Sequence, residues 1–300
     1  MWLINVRTRQ LEDFFGLEVP PYAILSHTWV HGEEVTFQEM RHPETLGPTD
    51  ADVLSKLKIG WHKIDHTCQE AARTGLEYAW VDTCCIDKSS SAELSEAINS
   101  MFRWYRRAAV CYVFLSDLGD FSEPGDRARD GPGDLGCCCV KKCRWFTRSW
   151  TLQELIAPRR MLFFDKEWRF CFTKDGESEA LSRITGIDVA VLRHERDLSS
   201  VSVAQKMSWA AGREATRKED LAYSLLGIFG INMPMLYGEE ERAFLRLQAE
   251  IISSCPDTTI FAWARERQDD PEDASQDPSN TYSGVMAPSP AAFRLLCKGS

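Results

Sequence analysis

No stretch of the 300-residue sequence approaches the ~18 consecutive apolar residues of a membrane-spanning helix, so no membrane span is expected. Positive charge is scarce. The chain has 35 Lys and Arg against 45 Asp and Glu, a formal net charge of -10, which argues against a nucleic-acid partner because such a surface needs a basic stripe. The start, Met-Trp-Leu-Ile-Asn-Val-Arg-Thr-Arg-Gln, lacks the apolar centre and small-residue cleavage site of a secretory signal, and the expected compartment is cytoplasmic. Paired Cys-x-x-Cys spacing, a Gly-rich phosphate loop ending in Lys-Ser/Thr, a Gly-x-Ser-x-Gly elbow and internal repeats are all missing. These absences leave no metal site and no bound cofactor to expect.

Some patterns imitate such motifs. Gly131-Pro-Gly-Asp-Leu-Gly136 has the spelling of a dinucleotide fingerprint, but it follows an acidic loop instead of a strand. Cys137-Cys-Cys139 with Cys143 reads as an incidental loop cluster. The chain has 11 cysteines, an odd count, and Cys84, Cys85 and Cys111 sit inside apolar runs. In a reducing compartment they behave as small hydrophobes, so disulfides are not expected. His62 and His66 are four apart, but Lys63 stands where a zinc protease would carry glutamate, and the two histidines read as a helix face.

What is present is a core: 44% of the residues are hydrophobic, ample for one large domain or two smaller ones. The first half reads as strands alternating with helices. Tyr22 to Ser26, Tyr78 to Asp82, Val110 to Leu115 and Met161 to Phe164 are expected strands. Asp52 to Thr74 is an expected helix whose apolar face is Leu57, Trp61, Ile64, Cys68 and Ala71, with Gly75 at its carboxyl cap. Ser90-Ser-Ala-Glu93 opens another, with the face Leu94, Ile98, Met101 and Tyr105. This alternation predicts an α/β fold, a parallel sheet with right-handed crossovers flanked by helices. An inserted loop spans 117–143, and residues 1–175 form the α/β core. Residues 176–265 form a helical extension packed on it, with helices at Val203 to Arg213, Glu219 to Phe229 and Glu239 to Ser254. Residues 266–300 are an acidic linker and a short apolar tail, with no evident stop, as in the front part of a longer protein.

In an open parallel sheet, ligands bind outside the carboxyl ends of the strands. That rule selects Ser26, His27 and Trp29 after the first strand, and Asp82 and Asp87 after the second. It adds Trp150 and Glu154 on the helix that leaves the loop after the third. Each has an ordinary alternative. Asp82 and Asp87 also suit turns, His27 a satisfied structural histidine, Trp29 and Trp150 the core, and Glu154 a solvated helix position.

Three blocks in this order, Pro21-Tyr-Ala-Ile-Leu-Ser-His-Thr-Trp29, Tyr78-Ala-Trp-Val-Asp-Thr-Cys-Cys-Ile-Asp87 and Arg148-Ser-Trp-Thr-Leu-Gln-Glu154, resemble the signature blocks of the fungal HET (heterokaryon incompatibility) domain. Ala97 to Tyr105, Cys111 to Ser116, Arg217 to Phe229 and Met233 to Gly238 extend the likeness over most of residues 1–265. Val30 departs from the pattern, which has Gly there. The resemblance implies a role in nonself recognition and programmed cell death, with nucleotide-binding or repeat regions following the domain in a longer chain. A second resemblance, of Ser149-Trp-Thr-Leu-Gln-Glu-Leu155 and of the element order, is to TIR (Toll/interleukin-receptor) domains and their flavodoxin-like sheet. It implies cleavage of NAD, as substrate and not cofactor, with Glu154 as the key carboxylate, a gating loop at Cys85 to Ser95, and self-association. The alternative reading is a non-catalytic death module that self-associates and recruits partners.

Overall fold

The structure is a computed structural model; it describes residues 1–14, 18–42, 58–119, 138–264 and 285–298. Seven strands form one sheet among these residues: β1 (Trp2–Asn5), β2 (Leu11–Asp13), β3 (Tyr22–His27), β4 (Tyr78–Trp80), β5 (Val110–Phe114), β6 (Met161–Phe164) and β7 (Phe170–Thr173), in the order β2-β1-β4-β3-β5-β6-β7. The four expected strands, β4-β3-β5-β6, form its parallel centre. The sheet as a whole is mixed, because β1 and β2 pair antiparallel on one side and β7 on the other. These edges were not legible: β1 has four residues, β2 is Leu-Glu-Asp, and β7 is half solvated. Every residue of β3 and β5 is buried, as continuous apolar strands covered on both faces require.

Numbering the parallel strands by their place in the chain, the order is second, first, third, fourth. This is the start of the flavodoxin-like order, in which the topological switch point lies between the first and third strands. Here those are β3 and β5, so the fold alone directs attention to their carboxyl ends.

The helices are α1 (Phe37–Arg41), α2 (Ile59–Arg73), α3 (Ser91–Arg107), α4 (Cys138–Lys142), α5 (Thr151–Ile156), α6 (Ser178–Thr185), α7 (Val189–Leu192), α8 (Val203–Ala210), α9 (Asp220–Tyr223), α10 (Leu226–Phe229) and α11 (Arg242–Ser254). α2 begins later than expected, after Lys58; residues 52–57 lie outside the described part. Its buried face includes Ile64, Cys68 and Ala71 as expected, but also Lys63; Trp61 is half-buried. Gly75 follows at φ +78°, a conformation that glycine adopts without the Cβ clash of other residues. Ser90 caps α3 by accepting the Glu93 N–H.

The helix expected over 219–229 is two short ones. α10 crosses α3 closely at Gly227, where a Cβ would come within 2.1 Å of Phe102. α8 stops at Ala210, so Arg213 lies beyond it. α11 buries Phe244, Leu247 and Ile251 as its periodicity predicts. The buried apolar residues of both halves belong to one continuous cluster, from Leu3 to Phe293. Cys68, Cys84, Cys85 and Cys111 are free thiols within it. The Gly131–Gly136 motif, Cys137 and the acidic linker from Arg265 to Asn280 lie outside the described residues. Among the described residues no helix is long and apolar enough to cross a membrane.

Candidate functional site

α5 carries Glu154, and both of its ends are fixed. At its carboxyl end Ala157 closes the last turn and Pro158 follows. The buried Lys174, just past β7, donates to the Leu155 and Pro158 carbonyls; a cation on terminal carbonyls is favourable there. Burial lowers the Lys174 pKa to about 8. All six residues of α5 are buried, including Gln153 and Glu154. Glu154 is only 5% exposed, so it is not the solvated residue that an isolated amphipathic helix would carry.

Successive residues of a strand point to opposite faces, and the end of β3 uses both. On the face of α3 and α5, Ser26 Oγ donates to Glu154 Oε2 at 2.5 Å and accepts from Trp145 Nε1 at 2.8 Å. Tyr105 from α3 also hydrogen-bonds toward Glu154 and donates to the Leu25 carbonyl. On the face of α2, His27 Nε2 lies 3.0 Å from Asp82 Oδ1, and His27 Nδ1 lies 3.2 Å from Lys63 Nζ. An ammonium can only donate, so Nδ1 accepts and Nε2 carries the proton that it donates to Asp82. Lys63, 1% exposed, also donates to the Thr28 carbonyl and, at 2.5 Å, to Glu34 Oε1. Trp29 Nε1 donates to Asp82 Oδ2 at 2.9 Å; its ring is 46% exposed, with Lys88 Nζ 3.8 Å from its centre. Asp82 also acts electrostatically on Glu154.

The two carboxyls are driven apart. Burial and the Asp82 charge raise the Glu154 pKa to about 8; the bonds from Ser26 and Tyr105 and the charge of Arg213 oppose this but do not cancel it. Burial also acts on Asp82, but the His27 and Trp29 hydrogen bonds and the Lys88 charge hold its pKa below the ordinary value. Near neutrality the site therefore pairs a neutral carboxylic acid, Glu154, with an anion, Asp82. Such separation is how neighbouring carboxyls come to serve as acid and base.

Ser26, His27, Trp29, Asp82 and Glu154 thus meet at the carboxyl edge, beside the switch point. Two other candidates do not join them. Asp87 accepts from Ser89 N and Oγ and from Gln38, which makes a turn of the chain after β4. Trp150 directs its indole to Asp220 of α9. Trp145, Tyr105, Lys63 and Arg213 were not expected at the site. Lys63 did leave a signal, since it falls in the apolar stripe Gly60, Ile64, Cys68, Ala71. A cavity of about 630 Å³ lies elsewhere, along α3 and the β1–β2 hairpin, lined by Trp2, Tyr22, Arg103 and Trp104 among others. It shares no residue with the cluster. Among the described residues no group of three His, Cys, Asp or Glu is placed to hold a metal.

The open, mixed sheet with flanking helices makes this an α/β protein. Residues 22–132 match the family model described as Heterokaryon incompatibility protein (HET), and residues 242–297 match one described as a domain of unknown function, DUF8212. The chain is also similar to the Vegetative incompatibility protein HET-E-1 of Podospora anserina, at 45% identity over 246 residues. That match spans 81% of this chain and 17% of the relative's length. The chain belongs to the heterokaryon incompatibility (HET) domain family. Ser26, His27, Trp29, Asp82 and Asp87 fall inside the family match, whereas Trp150 and Glu154 follow it. No solved structure matches the chain.

Proposed function

We propose that the chain is an effector domain of fungal nonself recognition, acting in heterokaryon incompatibility and programmed cell death, and that it hydrolyses NAD at the nicotinamide–ribose bond. The observation that carries this reading is the Ser26–Glu154 pair, buried at the switch point beside the ionised Asp82. The second-first-third-fourth strand order supports the TIR resemblance.

The bond between ribose C1′ and the nicotinamide nitrogen breaks with its electron pair leaving on nicotinamide, already a cationic leaving group. The ribosyl oxocarbenium ion that develops is stabilised by a carboxylate beneath it. Glu154 is neutral in the free domain at pH 7, but a bound nicotinamide cation favours its ionised form. The substrate then helps create the charge that its transition state needs, in a site where little water screens it. Water adds at C1′ and loses a proton, for which Asp82 is the ionised acceptor, giving ADP-ribose, nicotinamide and a proton. The exposed Trp29 ring offers a stacking face at the mouth.

Burial favours a second reading. Glu154 is 5% exposed and the cavity lies elsewhere, as suits a module that acts by self-association and partner recruitment, or one whose site opens only on assembly. The test is timed nicotinamide release from NAD at low and high protein concentration, with Glu154→Gln alongside. Release lost in Glu154→Gln supports the enzyme, and release only when concentrated supports assembly-gated catalysis. No release at any concentration supports the non-catalytic module.

A further inference from the structure

The helical extension reaches the carboxylate cluster through a residue outside every signature block. Beyond α8 the chain passes through Ala211 and Gly212 to Arg213, which is 8% exposed. Arg213 Nη1 donates to the Arg148 carbonyl at 2.8 Å and to Thr151 Oγ1 at 2.9 Å, and Nε donates to the Trp209 carbonyl at 3.3 Å. Thr151 Oγ1 in turn lies 2.5 Å from the Trp145 carbonyl, to which it donates. The next residue, Glu214, forms a parallel bridge with Arg148. Ser149 N donates to the Glu214 carbonyl at 2.9 Å, and Glu214 N donates to the Thr147 carbonyl at 2.6 Å.

Residues 213 and 214 therefore tie down the segment from which α5 starts. α5 needs this help. It has six residues and no side-chain cap at its amino end, too little to hold a helix unaided. The groups that act electrostatically with Glu154 come from four places: Asp82 after β4, Tyr105 on α3, Cys111 on β5 and Arg213. Arg213 is the cation of that set, with an always-charged planar fork that Lys does not reproduce.

We propose that Arg213 is a positioning residue and that the helical extension is thereby part of the site: it fixes the first turn of α5, sets the place of the Glu154 carboxyl, and supplies the cation against which that carboxyl ionises. The proposal rests on the reading of Glu154 as the working carboxyl, but its test does not need turnover.

The experiment uses the full chain with Arg213→Met and Arg213→Lys. Glu154 ionisation is followed by infrared spectroscopy as the pH-dependent carboxyl band that is present in each protein and absent when Glu154→Gln is added. Removing a facing cation should move the midpoint up by about one pH unit in Arg213→Met, whereas Arg213→Lys stays near wild type. Nicotinamide release should fall roughly 100-fold in Arg213→Met, as expected when a reacting group is misplaced. A wild-type chain without NAD cleavage would remove the proposed activity and leave the infrared test standing. An unchanged midpoint in folded Arg213→Met overturns the proposal. If Arg213→Met does not fold, Arg213→Lys carries the test through amide hydrogen exchange of residues 151–156. Exchange about tenfold faster there than in wild type supports the positioning role, and unchanged exchange overturns it.

Discussion

Replacing Glu154 with Gln should change how stability depends on pH more than it changes stability itself. The carboxyl has an ordinary pKa of 4.5 in the unfolded chain and about 8 in the folded one, raised first by burial and then by the Asp82 charge. Below pH 4.5 the acid is neutral in both states, and the folded state keeps its full advantage. Between pH 4.5 and 8 the unfolded chain releases the proton while the folded one holds it, so stability falls by about 1.4 kcal/mol per pH unit. The total, on the order of 5 kcal/mol, is a large part of a typical domain's 5–15 kcal/mol, roughly taken. Gln stays neutral throughout, so that slope disappears. Glu154→Gln should match wild type within about 1 kcal/mol near pH 5 and exceed it by several kcal/mol near pH 9, less what the altered Ser26 bond costs. Urea unfolding of both proteins from pH 5 to 9 measures the difference and cancels other groups that titrate in the same window. A difference that is constant across that range would refute the buried, neutral acid and the mechanism built on it.

Ser26→Ala should raise the Glu154 midpoint further, because the Ser26 hydrogen bond opposes the upward shift; a midpoint that falls in the carboxyl infrared band would contradict this. Lys63→Met should destabilise by about 3–5 kcal/mol in urea unfolding, since it removes the counter-charge of Glu34, whose Oε2 is already buried without a partner. A loss below about 1 kcal/mol would mean that the pair is solvated. Gly227→Ala should cost about 1–3 kcal/mol through overpacking against Phe102, and adding Phe102→Ala should recover part of the loss in thermal unfolding; additive losses would place the strain elsewhere.

The parallel centre of the sheet was legible because buried strands write continuous apolar runs, and β3, β5 and β6 do so. The edge strands were not, because a half-solvated strand of three or four residues carries too little pattern to stand out. The break between α9 and α10 was also hidden. Residues 219–229 keep a helical apolar pattern, and the close crossing of α10 over α3 at Gly227 is a tertiary contact that no local spacing records.

For the site, the rule of carboxyl strand ends found Ser26, His27, Trp29 and Asp82, because a strand's end is a local property. The same rule could not separate them from Asp87, which sits five residues past Asp82 but turns its carboxylate into the backbone of Ser89. It also could not see that Ser26 and His27, adjacent in sequence, work on opposite faces of the sheet. The partners that set the charge state of Glu154 are Ser26, 128 positions away in the chain, and Asp82, Tyr105 and Arg213 from three other segments. A helical pattern assigns Glu154 to a face, but whether that face meets water or four other segments is decided by topology. Burial is thus the property that turns an unremarkable glutamate into an acid neutral at pH 7. It is also the property that a single stretch of sequence does not encode. For this chain the decisive quantity is therefore the pKa of one carboxyl, and Ser26, Asp82, Tyr105 and Arg213, from four separate segments, act on it beside burial.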